Sequence, residues 1–368
     1  MILLRSMLPL AALVLLTIVS AQSTCNATVS CPASAPCCSE YGFCGTGSYC
    51  LGGCEPLYSY KPDSCLPNPV CENLNSTFYN LERVQVNASL YNGNASAYDW
   101  VVNSGSVIAT DEGTRLLLTQ NNSGTKISST RYVHYGRIEF VLKTSKWPGV
   151  VTAAITMSDV KDEIDLEFTG HSVNEAQTNY WYLGVANYSA TQGQSVHVDE
   201  DTSQNFHTYA IDWKEDSISW LVDGNIVRTV LKADTYTSDG IPHYPMTPSR
   251  IQLSIWPAGI PSSAPGTIDW SGGMIDWSDP DYVANGYFWN VLQSVNMICA
   301  DDPTQAQGTT GWIYSGNGSD GLPHVLDTNA STIIGGASRG VGLPHGTITQ
   351  IGMFLAPLVI ACLAILAQ

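Results

Sequence analysis

The chain has 368 residues, and its formal net charge of −17 comes from 32 acidic side chains against 15 lysines and arginines. This acidic balance excludes nucleic acid as a partner and excludes charge-driven binding to anionic lipid. Only 13% of the residues are charged, whereas 10 are Trp and 18 are Tyr. Such a composition is typical of proteins that bind neutral sugars, whose apolar ring faces stack on aromatic side chains.

The N-terminal residues have the pattern of a secretory signal peptide. Arg5 precedes an apolar run from Leu8 to Val19, and the small residues Ser20 and Ala21 follow it. The run is too short to span a membrane comfortably. We therefore expect residues 1–21 to be removed on secretion, and an uncleaved membrane anchor is the alternative.

Nine of the eleven cysteines lie between Cys25 and Cys71. This density is typical of a small module that needs cross-links because its hydrophobic core is small. Cys362 lies in the apolar C-terminal segment, and the ten cysteines that remain suit a disulfide framework in an oxidising compartment. We assign residues 22–64 to this module and residues 65–75 to a linker.

The module contains the string Cys37-Cys38-Ser39-Glu40-Tyr41-Gly42-Phe43-Cys44-Gly45. This string resembles the hevein-type chitin-binding modules. The resemblance implies that one serine and three aromatic rings bind N-acetylglucosamine units, with Glu40 as a weaker candidate. These positions are Ser39, Tyr41, Phe43 and Tyr49. Rings that disulfides hold rigidly can stack on sugars with little loss of entropy.

The same resemblance implies three disulfides, Cys25–Cys38, Cys31–Cys44 and Cys37–Cys50. Four further cysteines can pair in three ways, between which the sequence does not choose. They are Cys54, Cys65, Cys71 and Cys299. A disulfide knot that does not bind sugar is the alternative interpretation of the module.

Residues 76–301 have the pattern of one large all-β domain. The segments Gly136–Leu142 and Asp162–Phe168 alternate between polar and apolar residues, as half-buried strands do. Asp223-Gly224-Asn225 separates two further strand-like segments and gives a strong hairpin signal. Many short strands between Gly, Asn and Pro turns indicate a β-sandwich.

The strand from Asp162 to Phe168 carries three acidic residues on one face. Alternate residues of a strand share a face, so Glu163, Asp165 and Glu167 project together, away from the apolar side. Three like charges on one strand face destabilise it unless they have a function. Retaining glycoside cleavage needs one carboxylate as nucleophile and a second carboxyl group as acid and then base.

The two outer carboxyl groups must come close for this chemistry. Retaining pairs lie about 5–5.5 Å apart, whereas four strand steps separate Cα atoms by roughly 13 Å. The hypothesis therefore requires a concave sheet and two long side chains that lean toward each other. A solvated acidic strand or a calcium site is the alternative.

The string Asp162-Glu163-Ile164-Asp165-Leu166-Glu167-Phe168-Thr169-Gly170 resembles the signature of glycoside hydrolase family 16, and more narrowly that of the fungal Crh-type chitin–glucan transglycosylases. The resemblance spans about Tyr79 to Asp301. It implies a β-jelly-roll in which Glu163 is the nucleophile, Asp165 its helper and Glu167 the acid/base. It also implies that further residues bind the sugar substrate, namely Asn179, Trp256, Trp270 and Arg137.

Each of these further residues has a structural alternative. Trp256 and Trp270 can equally be core residues of a sandwich, and Asn179 can be a turn residue. We favour a structural, hydrogen-bonded role for His207. Trp213 alternates with Ile211 and is expected in the core.

The C-terminal part is expected to be a stalk and an anchor signal. Residues 302–336 are rich in Gly, Ser, Thr and Asn, as flexible segments are. Small residues at 335–338, a spacer of about twelve residues and an uncharged tail over 351–368 match a GPI-attachment signal. Gly336 is the predicted attachment site, and 337–368 the removed propeptide; a transmembrane helix is the alternative.

Eight Asn-X-Ser/Thr sequences favour glycosylation in a secreted chain. They begin at Asn26, Asn75, Asn87, Asn94, Asn121, Asn187, Asn317 and Asn329.

Together these features predict an enzyme of the fungal cell wall, held at the outer membrane face by a GPI anchor. By resemblance it cleaves chitin by double displacement and transfers it to β-1,3/β-1,6-glucan. A plain chitin or β-glucan hydrolase and an inactive wall lectin are the alternatives, although three intact acids argue against the lectin. The expected partners are these polysaccharides and the membrane, with no cofactor, no metal and no obligate protein partner.

Overall fold

The computed structural model describes residues 23–185, 191–238, 240–301, 305–318 and 323–335. The strands, in chain order, are β1 (Cys37–Cys38), β2 (Cys44–Gly45), β3 (Asn68–Pro69), β4 (Leu74–Thr77), β5 (Val84–Gln85), β6 (Trp100–Ser104), β7 (Val107–Thr110), β8 (Gly113–Leu118), β9 (Thr125–Val133), β10 (Gly136–Lys143), β11 (Val150–Ser158), β12 (Glu163–Thr169), β13 (Glu175–Trp181), β14 (Gln194–His197), β15 (His207–Trp213), β16 (Ser217–Val222), β17 (Asn225–Leu231), β18 (Ser249–Pro257), β19 (Phe288–Cys299), β20 (Gly311–Asn317) and β21 (Pro323–Thr328).

Helices are short in the described part of the chain. The α-helices are α1 (Pro265–Trp270) and α2 (Pro280–Asn285), each of six residues. Single 3-10 turns lie at Gly47–Cys50, Pro62–Ser64, Ala88–Leu90 and Lys232–Thr235. No helix within these residues is both long and apolar enough to span a membrane.

Two large sheets form the body of the molecule. The front sheet has the order β14-β13-β12-β11-β18-β9-β6-β5. The back sheet has the order β17-β16-β15-β10-β19-β8-β7, with β4 paired to β19. Neighbouring strands pair antiparallel, except that β5 and β6 are parallel. The predicted all-β sandwich is confirmed.

The core lies between the two sheets because each strand turns its apolar side inward. Ile164, Leu166 and Phe168 of β12 are buried against the back sheet. Phe168 packs edge-on against Tyr209, with ring centroids 4.6 Å apart. Burial of one such side chain contributes about 1.5–3 kcal/mol, so the alternation fixes which side of β12 faces solvent.

Buried polar groups tie the sheets together. The Trp220 indole nitrogen on β16 donates to the backbone oxygen of Asp165, at 2.9 Å.

Two predictions about single residues are confirmed. Trp213 is fully buried, as expected. His207 Nδ1 lies 2.8 Å from the Asp223 carboxylate, so His207 has the structural, hydrogen-bonded role that we favoured.

The small module has the three expected disulfides, Cys25–Cys38, Cys31–Cys44 and Cys37–Cys50. The structure also pairs the remaining cysteines, as Cys54–Cys65 and Cys71–Cys299. The first of these bonds joins Cys65 to the module, and the second closes the sandwich across 228 positions.

The residues expected to form a linker and a flexible stalk are instead paired in strands. Within 65–75, β3 pairs with β20 and β4 begins its pairing with β19. Within 302–336, β20 and β21 form a hairpin that completes a three-stranded sheet with β3. Trp312 of β20 is buried. The turn-rich composition of these segments does not show which distant strand each of them pairs with.

Candidate active site

The three acids of β12 lie side by side on the outer face of the front sheet. Glu163 and Glu167 are partly exposed, whereas Asp165 is 2% exposed. Their backbone partners on β13 are Trp181, Asn179 and Gln177, respectively. Directly paired residues of neighbouring strands share a face, so these side chains of β12 and β13 lie together on the outer face of the front sheet.

Asn179 therefore lies beside Asp165, as predicted for a substrate-binding residue. Its Oδ1 atom is buried and has no hydrogen-bond partner among the described residues. A buried amide oxygen of this kind is available to a donor that arrives with a ligand or a water molecule. Asn179 lies within a strand, so the turn interpretation does not hold.

Trp256 and Trp270 form an aromatic wall next to Glu167. Their rings are stacked with centroids 6.0 Å apart. The indole nitrogen of Trp270 donates to Gln177 Oε1 at 2.7 Å, and Trp256 hydrogen-bonds the Glu167 carboxyl group. Both rings are only partly buried. They line the groove at Glu167 and are not residues of the core.

Burial gives each acid an altered proton affinity. Burial raises the pKa of Glu167 to about 8, and the Trp256 hydrogen bond opposes this rise. Burial and the charge of Glu163 raise the pKa of Asp165 well above its usual range. Glu167 is thus a protonated acid at neutral pH.

Glu163 and Asp165 share one proton across a hydrogen bond. Burial raises the pKa of Glu163 to about 7, and the hydrogen bond from Asp165 limits this rise. The charges of Lys161 and Lys126 also lower the pKa of Glu163, whereas the charge of Glu167 raises it. The proton therefore resides on the more deeply buried Asp165, which donates to Glu163. This is the arrangement that a nucleophile, a helper and an acid on one strand face would need.

Comparison with known proteins identifies the family of this chain. Residues 94–272 match the family described as Glycosyl hydrolases family 16. Crh-like protein 3 of Botryotinia fuckeliana is 42% identical over 299 residues, which cover 81% of this chain and 66% of that protein. Congo red hypersensitive protein 2 of Saccharomyces cerevisiae is 40% identical over 333 residues, 89% of this chain and 70% of that protein. This chain belongs to the Crh-like proteins of glycosyl hydrolase family 16.

The fold agrees with this family. The solved structure of Crh5 transglycosylase in complex with NAG aligns with a TM-score of 0.56 and 28% identity, over 68% of this chain and 91% of that chain. The β-jelly-roll is thereby confirmed. This family 16 chain spans about two thirds of the length of the two curated relatives, 66% and 70%.

Arg137 is not part of the groove of this family 16 domain. It lies on β10 of the back sheet, where its neighbours Ile138 and Phe140 point into the core. By alternation Arg137 faces the outer side of that sheet, with Nη2 2.8 Å from Glu139 Oε1. The sandwich core therefore separates it from the three acids. The prediction for Arg137, which rested on the family resemblance, failed because its strand belongs to the back sheet.

The chitin-binding candidates of the small module lie together. A cavity of about 320 Å³ is lined by all four of them and by residues of the sandwich. The four are Ser39, Tyr41, Phe43 and Tyr49. The Ser39 hydroxyl accepts a hydrogen bond from the backbone nitrogen of Phe43, at 3.3 Å. The module thus presents its sugar-binding candidates toward the sandwich.

Sequence reasoning missed four residues of the site. Gln177 and Trp181 flank Asn179 on β13, and their alternation with it was a usable signal, like that of the acids. Lys126 and Arg250 lie on β9 and β18. Nothing local marks them, because their proximity to β12 comes from strand order in the sheet.

Most of the predicted glycosylation sites within the described residues are on the surface. Asn94 is partly buried, and the side chain of Asn317 is not described. The exposed asparagines are Asn26, Asn75, Asn87, Asn121 and Asn329. The signal peptide, Asn187, Gly336 and the propeptide lie outside the described residues.

Proposed function

We propose that this chain is a retaining glycosidase and transglycosylase of the fungal cell wall, which cleaves chitin and transfers it to a β-glucan. The observation that carries the proposal is the single outer strand face on which Glu163, Asp165 and Glu167 lie together, with Trp256 hydrogen-bonded to Glu167. The similarity to Crh5 transglycosylase supports transfer over hydrolysis.

In the first step, a Glu163 oxygen attacks the anomeric carbon of the bound sugar. The bond to the leaving-group oxygen breaks as Glu167 gives that oxygen its proton, and a glycosyl ester forms on Glu163. The hydrogen bond from Asp165 stabilises the Glu163 carboxylate and weakens as the ester forms.

In the second step, an acceptor hydroxyl attacks the same anomeric carbon. Glu167, now ionised, takes the hydroxyl proton, and the Glu163–sugar bond breaks, which regenerates both side chains. A sugar hydroxyl gives transfer, and water gives hydrolysis. The aromatic wall of Trp256 and Trp270 would hold a sugar and exclude water next to Glu167.

Chitin is proposed as the donor for two reasons. The related Crh5 transglycosylase forms a complex with NAG, and the module carries Ser39, Tyr41, Phe43 and Tyr49 around one cavity. We infer further that residues 1–21 direct secretion and that Gly336 accepts a GPI anchor. The anchor is tested by release of the protein from fungal membranes with a phosphatidylinositol-specific phospholipase.

The test of activity uses a chitin oligosaccharide as donor and a fluorescent β-glucan oligosaccharide as acceptor. Wild type should move the label into larger, mixed products, which mass spectrometry identifies. Glu163→Gln should abolish these products, whereas Glu139→Gln on the back sheet should not. Donor shortening without label transfer would indicate the hydrolase, and no change of either sugar would leave the lectin.

A further inference from the structure

Two cations extend the outer face of the front sheet beyond the acids. Through β11 and β18, Lys126 lies in the same cross-strand row as Glu167, and Arg250 lies in the row of Glu163. The residues after them, Ile127 and Ile251, point into the core. Lys126 and Arg250 therefore share the face of the catalytic acids.

Both cations contact the small module through Glu40. Lys126 Nζ lies 2.9 Å and Arg250 Nη2 lies 3.5 Å from Glu40 Oε2. The Arg250 side chain is 7% exposed and that of Glu40 is 13% exposed. Ion pairs so far removed from water fix the position of the groups that carry them, since breaking one leaves a buried, uncompensated charge.

A second group of hydrogen bonds joins the module to the sandwich. The backbone nitrogen of Gly53 donates to Asp159 Oδ1 at 3.0 Å and to the Tyr132 hydroxyl at 3.1 Å. Asn68 Nδ2 donates to the other oxygen of Asp159, at 2.9 Å. The module is therefore seated on the groove side of the front sheet by buried polar contacts.

This seating decides what the chitin-binding candidates face. The cavity of about 320 Å³ that they line is closed on its other side by the sandwich residues Tyr91, Asn103 and Arg250. Its volume lies in the range of sites for small ligands. Aromatic rings beside hydroxyl and amide groups suit a neutral sugar with an amide substituent.

The cavity is within reach of the acids along the same face. Lys126, which contacts Glu40, is on β9, three strands from β12, or about 14 Å at the usual strand spacing. A polysaccharide chain that crosses the strands can therefore lie on the acids and enter the cavity at once.

We propose that the module and the front sheet form one continuous binding site for a single chain of N-acetylglucosamine units. The inference rests on the proposed function for its ligand class. In this site the module does not tether the enzyme to distant chitin. It holds the same donor chain that Glu163 cleaves, at a high effective concentration.

The test compares two exposed tyrosines of the module. Tyr41 lines the cavity and is 56% exposed, whereas Tyr60 is 49% exposed and is not among the lining residues. The full chain carries Glu163→Gln, so that oligosaccharides bind without turnover. Calorimetry then measures binding of N-acetylglucosamine oligomers of increasing length to this protein and to its Tyr41→Ala and Tyr60→Ala derivatives.

One continuous site predicts that one oligomer binds per protein molecule. It also predicts that the affinity rises once an oligomer is long enough to reach from the acids of the front sheet into the cavity. Tyr41→Ala should remove that rise, with a loss of about tenfold for long oligomers, and Tyr60→Ala should leave it intact. Two independent sites, or an equal loss for short and long oligomers, would overturn the proposal.

The same variants in the active background separate this inference from the proposed function. Tyr41→Ala should lower kcat/KM for long donors more than for short ones. Turnover of chitin without this length dependence would overturn the continuous site alone. Length-dependent binding without any turnover would instead overturn the proposed activity.

Discussion

Replacement of Glu40 by Gln should weaken the attachment of the module to the sandwich by about 3 kcal/mol. Burial raises the pKa of Glu40, but Lys126 and Arg250 oppose this strongly enough to lower it from 4.5 to about 2. Each pKa unit corresponds to about 1.4 kcal/mol of interaction with the ionised form. The same magnitude is typical when one partner of a buried ion pair is removed.

The pH dependence of this contribution has a definite sign. The pKa of Glu40 is lowered by folding, so the contribution is present above the ordinary carboxyl range and is lost as the pH falls toward 2. Wild type and Glu40→Gln should therefore differ most in urea-unfolding free energy near pH 7. Their difference should shrink progressively below about pH 4.5.

A double-mutant cycle with Lys126→Met isolates the pair. We expect a coupling free energy of about 1–3 kcal/mol at pH 7. The matched control is the Lys143–Glu112 pair, at 3.0 Å, in which Glu112 is 55% exposed. An exposed pair should couple by less than about 1 kcal/mol. Equal coupling in the two cycles would refute the reasoning that the Glu40 contact is desolvated.

Three further predictions concern the acids and the long disulfide. Trp256→Phe removes a hydrogen bond that lowers the pKa of Glu167, so the alkaline limb of the kcat/KM profile should move upward from about pH 8; an unmoved limb would contradict this contact. Asp165→Ala should lower kcat by about a hundredfold and Asp165→Asn by less, because the amide can still donate to the nucleophile; single-turnover kinetics distinguish the two. Joint replacement of Cys71 and Cys299 by Ala removes a crosslink across 228 positions. The free energy of unfolding, measured by urea titration, should fall by about 5 kcal/mol. A loss below about 1 kcal/mol would contradict the chain-entropy reasoning.

Local patterns of sequence were sufficient for the catalytic strand. The alternation of acids and apolar residues from Glu163 to Phe168 fixes which side chains face the core, because the strand must bury Ile164, Leu166 and Phe168. This prediction depends only on the period of a strand, which a short sequence reveals. Asn179 was predicted from the family resemblance, and its place beside Asp165 follows from the pairing of β12 with β13.

Long-range placement was not accessible in the same way. Arg137 has the alternation expected of a groove residue, but its strand belongs to the back sheet. The Cys71–Cys299 bond and the pairing of β3 with β20 join residues more than 200 positions apart. The docking of Glu40 onto Lys126 depends on strand order across half of a sheet. Such contacts follow from the topology, which the local pattern does not determine.

The three acids show why position in the fold, more than residue type, decides a chemical role. Glu163 and Glu167 are the same residue on the same strand face, yet the pKa of Glu163 is raised to about 7 and that of Glu167 to about 8. Glu163 accepts a hydrogen bond from Asp165 and lies near the positive charges of Lys161 and Lys126. The hydrogen bond and the two charges all favour the ionised form of Glu163. Glu167 has only the Trp256 hydrogen bond to oppose the effect of burial. The contacts at the two ends of one alternating sequence thus give the two carboxyl groups different proton affinities, as the proposed roles of nucleophile and acid require.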